Sequence, residues 1–457
     1  MGKKVTAVFD IGKTNKKFFL FDEEYTEVHR EYVRLPTITD EDGYPAEDIG
    51  ALRQWLLKVF EGTLANQAYQ ITSLNFSGYG ASWVYVDKEG QIVAPLYDYT
   101  KPFNSEIKAV FFETYGPEDV FTEAVGSPFY GMLNSGLQLY WLKKRRPQLY
   151  DRIAYALHLP QYLSYVFTGV PVSEYTSIGC HTALWDFEEK DYHRWVYQEG
   201  IHKKLPSILP SETVYERSFQ GKKIQVGVGI HDSSAALLPY IKGSMAPFVL
   251  VSTGTWSISL NPFFPHALVQ EEVEKGGVSF LRTDGRTVRS ARLFLGNEYK
   301  VQVAVLSETY GKSPDYHETV RFNGDLFSRI EKDFEPMFHW QSLDQQELPK
   351  ISFMKYATFE EAYHQLLLEL VKLQVECISL AKGGMDITGL YIDGGFAANE
   401  TYVKMLTHFL REMHVSTATA SLGSALGAAL VLGERTLPQH FLTQHYGLAH
   451  QTAFLKT

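Results

Sequence analysis

The chain has 457 residues, 45% of them hydrophobic and 21% charged, which is enough for two or three domains with their own cores and too apolar for a disordered chain. Its 43 Lys and Arg residues against 53 Asp and Glu residues give a formal net charge of −10, which argues against long-range attraction to nucleic acid or to an anionic membrane. The two cysteines, Cys180 and Cys377, form no Cys-x-x-Cys pair, and this argues against a disulfide framework or a thiolate metal site.

Targeting signals are also missing from the sequence. No apolar signal core follows Lys3-Lys4, and no run approaches the roughly 18 apolar residues of a membrane helix. We therefore expect a cytoplasmic protein with neither nucleic acid nor a membrane as partner. A homodimer is the default expectation for its assembly.

The first elements form a strand–loop–strand pattern. Val5–Phe9 and Lys17–Phe21 are apolar runs typical of strands, and between them lies the polar segment Asp10-Ile11-Gly12-Lys13-Thr14-Asn15. This segment is not a P-loop, because the Walker pattern requires a glycine where Ala7 stands and a helix after the loop. A hairpin is predicted instead.

The tip of this hairpin is suited to phosphate. Successive N–H groups in such a loop converge on an anion, and Gly12 permits a close backbone approach. Lys13, Lys16 and Lys17 add positive charge, and Asp10 is suited to hold a magnesium ion through water. Taken alone, the segment is better explained as a simple hairpin turn.

Two later segments carry residues that are candidates for binding or activating a substrate. Phe76–Trp83 ends a strand with small residues and then an indole ring, which suits a polyol that stacks on its apolar face, although a plain turn is an equal alternative. Asp232 follows the apolar run Ile224–Val228 and precedes an Ala-rich helix, so it is either an N-cap or a base that accepts a proton from a substrate hydroxyl. His231 beside it is suited to donate a hydrogen bond to the substrate.

Other histidines and the cysteine near them suggest structural roles. His158, Cys180 and His181 lack regular metal-ligand spacing, which favours buried structural positions.

The strand–loop–strand pattern recurs in mid-chain. Phe248–Val251 and Trp256–Leu260 flank Ser252-Thr253-Gly254-Thr255, whose hydroxyl and N–H groups suit phosphate oxygens. The recurrence predicts a duplicated domain in which both hairpins face a shared cleft. We place the boundary within Tyr240–Pro247, where Pro239, Gly243 and Pro247 resemble a linker, giving domains 1–242 and 243–457.

The remaining pattern is helical for the most part. Phe359–Lys382 has apolar residues at helical spacing and a Gly383-Gly384 stop. A short strand Gly389–Ile392, the turn Asp393-Gly394-Gly395 and a helix Thr401–Met413 follow. The turn suits the base and ribose of a nucleotide, with a plain tight turn as the alternative. Leu422–Leu432 is rich in Ala and Gly and suits close packing, whereas residues 310–356 have no clear periodicity.

Taken together, these segments resemble the FGGY family of carbohydrate kinases, within the superfamily of actin-like ATPases. The loop 10–14 is similar to the first phosphate motif, 252–256 to the second, 393–395 to the adenosine motif, and 422–432 to the C-terminal small-residue helix. Ser135–Leu142 is similar to the first family signature, with Gln138 where a Lys is usual, and Pro160–Gly169 with Ser177 and Asp186 resembles the segment that follows. Each motif is weak, but their order and spacing are specific.

The resemblance implies an α/β fold of two actin-like, ribonuclease H-like domains with an interdomain cleft. It implies ATP and Mg²⁺ as cofactors and Asp232 as the catalytic base. The likeness to the rhamnulokinase and fuculokinase branches implies sugar contacts at Gly80, His231 and Asn297, and Trp83 is the further sugar candidate, from the segment Phe76–Trp83. It also implies nucleotide or phosphate contacts at Asp10, Gly12, Lys13, Thr14, Asn15, Lys17, Thr253, Gly254, Thr255, Gly394, Gly395 and Asn399.

The expected activity is therefore transfer of the ATP γ-phosphoryl group to a primary hydroxyl of a ketose. L-Rhamnulose, L-fuculose and the xylulose or ribulose class are the candidate substrates, and the sequence does not decide between them. The alternatives are a nucleotide-switched binding protein, for which no peptide-binding domain or lid follows the last motif, and a degenerate kinase that acts as a sugar sensor.

Overall fold

The computed structural model describes residues 2–340, 355–418, 423–433, 437–438 and 440–453. The chain divides into two compact units, neither of which is continuous in sequence. Unit 1 comprises Met1–Gly243, Pro265–Val288 and Leu422–Gln439, and unit 2 comprises Ser244–Phe264, Arg289–Ser421 and His440–Thr457. The predicted domain limits at residues 242 and 243, and the cleft shared by the two halves, stay predictions.

Unit 1 is built on a mixed sheet. Its strands follow one another in the order Val214–Phe219, Lys222–Gly227, Tyr69–Gly78, Lys3–Ile11, Lys16–Asp22 and Glu27–Val33, with Ile230–His231 also paired to Tyr69–Gly78. Lys3–Ile11 and Ile230–His231 both run parallel to Tyr69–Gly78. The predicted first hairpin is confirmed, because Lys3–Ile11 and Lys16–Asp22 pair antiparallel from Val5 opposite Asp22 to Ile11 opposite Lys16.

Helices and short strands complete unit 1. Its helices are Ile49–Ala65, Ser105–Tyr115, Glu118–Ala124, Ser135–Arg145, Pro147–Arg152, Leu159–Thr168, Tyr175–Ile178, Arg194–Gln198, Asp232–Gly243, Gln270–Glu274 and Gly423–Leu430. Its short strands are Thr37–Thr39, Pro45–Glu47, Trp83–Val86, Leu96–Tyr97, Tyr155–His158, Ser173–Glu174, Trp185–Asp186, Asp191–Tyr192, Ile208–Leu209 and Gly277–Leu281.

The sheet of unit 1 is covered by the helix Ile49–Ala65. Ile49, Leu52, Leu56 and Phe60 recur at helical spacing, are all buried, and join the strand residues in one core cluster. The helix therefore buries its apolar face against the sheet.

Unit 2 repeats the same plan. Successive strands of its sheet include, in this order, Thr287–Leu293, Ser257–Asn261, Phe248–Thr253, Gly389–Gly394, His414–Thr417 and Ala449–His450. The predicted second hairpin is confirmed by the antiparallel pairing of Phe248–Thr253 with Ser257–Asn261. Phe248–Thr253 runs parallel to Gly389–Gly394. The helices are Leu295–Thr309, Gly324–Lys332, Phe359–Lys382, Glu400–Phe409 and Phe441–Tyr446, with 3₁₀ turns at Tyr316–Thr319 and Gly395–Ala398.

The helix Phe359–Lys382 has the bounds that the sequence predicts. The Thr358 side chain caps its first turn by accepting from Glu361 N, and Gly383 ends it in the left-handed conformation with φ +62°. Of the segment 310–356, the structure describes 310–340 and 355–356, which include the turn Tyr316–Thr319 and the helix Gly324–Lys332, while 341–354 lie outside the described residues.

The helix Asp232–Gly243 continues through Pro239 and Tyr240, where the sequence suggested the start of a linker. Proline has no N–H, so the Ala235 carbonyl four residues earlier loses its helical hydrogen bond without the helix ending there. None of the helices in the described ranges is both long and apolar enough to cross a bilayer.

Candidate active site

Two carboxylates of unit 1 lie at the same edge of its sheet. Asp10 pairs with Ser77 on the neighbouring strand, and His231 pairs with Gly78 one position further along. Because all three strands are parallel, Asp10 and Asp232 emerge at their carboxyl ends, on either side of Tyr69–Gly78. Ligands of open α/β sheets bind at this kind of edge.

The carboxylate of Asp232 is held by its immediate neighbours. Its Oδ1 accepts hydrogen bonds from Ser233 N at 2.6 Å and Ser233 Oγ at 3.3 Å, and His231 Nε2 lies 3.3 Å from the same oxygen. Burial raises the pKa of Asp232 to about 6, against the lowering by the Ser233 hydrogen bonds. A third of the side chain, 33%, is still exposed. These contacts engage Oδ1, so Oδ2 is the oxygen suited to accept a proton.

The imidazole of His231 is buried and neutral. Burial lowers its pKa to about 4, and its ring stacks on Phe280 with the ring centroids 5.9 Å apart. Its backbone N–H donates to Thr176 Oγ1 at 2.9 Å. Within the described residues its Nδ1 has no hydrogen-bond partner. A neutral ring in this position can donate from Nε2 to the Asp232 carboxylate without competing for its proton.

Asp10 is 8% exposed and belongs to the same edge. Its Oδ1 accepts from Ser424 Oγ at 2.8 Å. Burial raises the pKa of Asp10, whereas the charge of Lys17, its cross-strand partner, lowers it. The nearby charge of Asp232 raises the pKa further, so the two carboxylates sense one another electrostatically.

The first loop, residues 12–15, is closed by its own backbone and tied to its neighbours by side-chain contacts. Gly12 N donates to Asn15 O at 3.0 Å to close the tip, and Asn15 Oδ1 accepts from Arg34 Nε at 3.1 Å. Lys13 Nζ pairs with Asp98 at 2.7 Å instead of pointing freely outward. Thr14 is exposed at the tip.

The sequence suggests that Lys16 adds positive charge at the tip of the loop, but the structure buries it. It is 2% exposed, and its ammonium forms an ion pair with Glu47 at 3.0 Å. This lysine therefore adds little free positive charge at the surface of the loop.

The two further sugar candidates of unit 1 occupy different environments. Gly80 lies against His231, because a β-carbon there would be 2.8 Å from Nε2. Trp83 is fully buried, its Nε1 donates to Ser135 O at 2.6 Å, and its ring stacks on His158 with centroids 3.5 Å apart. With 0% of its surface exposed, the indole offers no open face for a sugar, so we do not include it in the proposed site.

In unit 2, two motifs that are 140 residues apart in the sequence share one strand edge. Thr253 pairs with Gly394 in the parallel register. Thr253 Oγ1 donates to Asp393 O at 2.6 Å and accepts from Phe396 N at 3.0 Å. Gly394 has φ +87°, and a β-carbon there would overlap the carbonyl oxygen of Thr253. Glycine is required here for both its conformation and its size.

A cavity of about 630 Å³ adjoins these loops. Its lining includes residues of the second phosphate motif, of the adenosine motif and the turn after it, and of the helices Leu295–Thr309 and Phe359–Lys382: Gly254, Thr255, Gly395, Asn399, Gly296, Asn297, Tyr299 and Tyr363. A β-carbon at Gly395 would meet no atom within 4 Å. This volume is in the range of small-molecule sites.

Two predicted residues of this cavity have defined partners. Asn297 N donates to Thr255 O at 3.3 Å, so Asn297 lies with the nucleotide candidates of unit 2. Asn399 Oδ1 caps the next helix by accepting from Tyr402 N, and its Nδ2 donates to Tyr363 Oη at 3.0 Å. Tyr363 Oη is in turn 2.9 Å from Tyr299 Oη. This hydrogen-bonded chain fixes one wall of the cavity.

Sequence comparison identifies the family of both halves. The model of the N-terminal domain of the FGGY family of carbohydrate kinases matches residues 5–238, and the model of the carbohydrate kinase FGGY C-terminal domain matches residues 245–440. The chain belongs to the FGGY family of carbohydrate kinases. The predicted resemblance is confirmed.

Curated relatives of this FGGY chain include two rhamnulokinases. That of Halalkalibacterium halodurans is 26% identical over 59% of this chain and 58% of its own length. That of Oceanobacillus iheyensis is 22% identical over 87% of this chain and 85% of its own length. The chain thus spans less than two thirds of the first of these relatives and most of the second.

A solved structure gives the fold. A carbohydrate kinase from Novosphingobium aromaticivorans is 22% identical, with a TM-score of 0.79 over 98% of this chain and 94% of that one. The predicted actin-like α/β fold of an FGGY kinase is confirmed.

Several residues that shape these sites were not predicted from the sequence. Ser424 and Ser77 flank Asp10, Glu47 holds Lys16, and Phe280 stacks on His231. Ser77 and Ser424 lie in two segments that the sequence marks, Phe76–Trp83 and Leu422–Leu432, but their positions beside Asp10 were not predicted. Glu47 and Phe280 lie outside every segment that the sequence marks.

Proposed function

We propose that this FGGY chain is an ATP-dependent sugar kinase that transfers the γ-phosphoryl group of ATP to a primary hydroxyl of a ketose. The observation that carries the proposal is the placement of Asp10 and Asp232 at one strand edge, with the pKa of Asp232 raised by burial to about 6. A carboxylate with such a pKa is ionised at pH 7 to 8 and is more basic than an ordinary aspartate.

Asp232 is the proposed catalytic base. Its Oδ1 is engaged by Ser233 and lies close to His231, which fixes the carboxylate plane and leaves Oδ2 to accept the proton of the attacking hydroxyl. His231 and Gly80 are the proposed sugar contacts of unit 1. The imidazole packs so closely against Gly80 that a side chain at residue 80 would displace the ring, so glycine at this position keeps His231 beside Asp232.

Nucleotide binding is proposed for the cavity of unit 2. Gly254 and Thr255 present the loop backbone, and Gly395 leaves open space for a flat base or ribose. Asn399 and Asn297 line the same cavity, so we propose nucleotide contacts for both, in place of the sugar contact that the resemblance implies for Asn297. On the first loop, Gly12, Lys13, Thr14 and Asn15 are the proposed phosphate-binding segment, with Lys17 near Asp10.

A magnesium ion fits the donor set as a water-mediated partner of Asp10. In the described ranges no three His, Cys, Asp or Glu side chains cluster as direct ligands. Mg²⁺ commonly keeps several waters and is held by one or two carboxylates together with substrate phosphates. When bound in this way it would neutralise phosphate charge. The task of Asp10 is to hold a fixed, buried negative charge near that position.

The class of sugar is proposed from the relatives. Both curated relatives described above are named rhamnulokinase, which favours L-rhamnulose, with L-fuculose and xylulose as the next substrates to test.

The test is ADP release by the purified protein with Mg²⁺ and ATP, measured alone and with a panel of ketoses and polyols. We expect strong stimulation by one ketose and little ADP release without sugar. ATP turnover that no sugar stimulates would favour a nucleotide-switched binding protein. Sugar binding without ADP release would favour a sensor.

A further inference from the structure

The ammonium group of Lys16 lies behind the first loop, not on its surface. Its Nζ donates to Gly12 O at 3.2 Å and to Lys13 O at 2.9 Å. It also pairs with Glu47 Oε2 at 3.0 Å. Its side chain is 3% exposed and that of Glu47 is 7% exposed, so the pair is shielded from solvent.

These two hydrogen bonds fix the direction of two consecutive peptide groups. In a trans peptide the C=O of one residue and the N–H of the next point in opposite directions, and the chain has no cis peptide in its described part. The carbonyls of Gly12 and Lys13 point at the Lys16 ammonium. The N–H groups of Lys13 and Thr14 therefore point away from it, on the same side of the loop.

Two successive N–H groups that point the same way form an anion-binding concavity. The charge of Lys16 does not itself serve as the phosphate ligand, because Glu47 already neutralises it. Lys13 likewise has its ammonium on Asp98 at 2.7 Å. The loop is thus organised to bind an anion through its backbone.

We propose that Lys16 is a positioning residue that holds the loop 12–15 in its phosphate-binding conformation by binding two of its carbonyl groups. The inference rests on the proposed function, since it assigns the loop to the phosphates of ATP. Without the ammonium group, the two carbonyls lose their donor, and Gly12 gives the backbone freedom to rotate them. Rotated carbonyls would repel a phosphate oxygen instead of donating to it.

The test compares the variants Lys16→Met and Lys101→Met with the parent protein. Each protein is titrated in a calorimeter with AMP-PNP in the presence of Mg²⁺ and, separately, with AMP. Lys101 is a matched control in unit 1, because its side chain is 4% exposed and its ammonium pairs with Asp40 at 2.6 Å. Because the loop would lose the charged donor that binds two of its carbonyl groups, we expect Lys16→Met to weaken AMP-PNP binding about 10- to 100-fold. AMP binding should change by less than about threefold, and Lys101→Met should bind both nucleotides as the parent does.

A second variant separates positioning from folding. Lys16→Met leaves the carboxylate of Glu47 buried without its nearest cation, and Lys16→Met/Glu47→Gln removes that charge. We expect the double variant to recover the thermal unfolding midpoint of the parent while its AMP-PNP affinity stays low.

Three results would overturn the inference: parent-like AMP-PNP affinity in Lys16→Met, an equal loss in Lys101→Met, or recovery of affinity in the double variant. A parent protein that binds AMP-PNP but phosphorylates no sugar would refute the proposed function and leave this inference standing. A parent that binds no AMP-PNP would refute both.

Discussion

Replacing Asp232 by Asn should change activity and stability in opposite directions. The amide keeps the shape of the side chain and its Oδ1 acceptor but cannot take a proton from the sugar hydroxyl, so we expect kcat to fall at least about 100-fold. For the parent, kcat/KM should fall as the pH drops through about 6, because Asp232 becomes protonated there.

The expected stability gain follows from the same pKa. Folding raises the pKa of Asp232 from 3.8 to about 6, so the folded state binds more protons than the unfolded state between these values. The parent therefore loses stability as the pH rises from about 4 to above 6. About two pKa units correspond to about 3 kcal/mol, and because 33% of the side chain is exposed, solvent screening reduces our expectation to about 1 kcal/mol. The Asp232→Asn variant avoids this cost at pH 8 and has no advantage at pH 4.

Urea unfolding followed by tryptophan fluorescence can test this difference, since five of the seven tryptophans lie in unit 1. Asp98→Asn is a control in which the pH dependence of the stability change should be opposite to that of Asp232→Asn. Burial raises the pKa of Asp98, but the hydrogen bond from Lys13 and the other local hydrogen bonds lower it overall, so Asp98→Asn should lose more stability at pH 8 than at pH 3. Near-normal turnover in Asp232→Asn would remove Asp232 as the base. A stability change that is equal at pH 4 and pH 8 would refute the account of its pKa.

Three further substitutions test the geometry of the loops. Gly296→Ala would place a β-carbon on the carbonyl oxygen of Gly254, and the resulting shift should raise KM for ATP by roughly 10- to 100-fold with KM for the sugar unchanged. Gly80→Ala would crowd His231 Nε2 at 2.8 Å, so initial-rate kinetics should show the opposite pattern, with KM for the sugar raised roughly tenfold or more. Lys13→Met should change KM for ATP by less than about threefold, because the Lys13 ammonium is already paired with the carboxylate of Asp98. A large increase in KM for ATP would mean that Lys13 contacts phosphate.

Local sequence patterns were sufficient for the elements that carry the loops. Both hairpins and the helix Phe359–Lys382 form where alternating or helical apolar spacing and glycine stops place them. Such signals depend on residues within one element, because each strand or helix buries its own apolar face. The strands and loops that carry most of the candidate residues could therefore be placed along the sequence before the tertiary structure was known.

The direction of individual side chains could not be predicted in this way. Lys16 and Trp83 both belong to motifs that suggest contact with a ligand, yet one is paired with Glu47 and the other lies under His158. Both partners belong to other strands, far from Lys16 and Trp83 along the chain. Whether a polar or aromatic residue faces solvent depends on such distant partners, which a local pattern does not contain.

The helix Gly423–Leu430 illustrates how distant packing supports the proposed chemistry. Ser424 Oγ donates a hydrogen bond to Asp10. Ala428 O accepts one from Asn75 Nδ2 at 2.7 Å, and Asn75 Oδ1 in turn accepts one from Gly229 N at 3.1 Å. A β-carbon at Gly427 would overlap the Ala235 carbonyl, the same carbonyl that Pro239 leaves without a helical donor. The small residues therefore allow one helix to contact the strand of Asp10 and the helix that begins at Asp232. Its Ser424 contacts Asp10 directly and its small residues pack on the helix that begins at Asp232, so substitution of Gly427 by a larger residue should disturb Asp10 and that helix together, although it touches neither carboxylate.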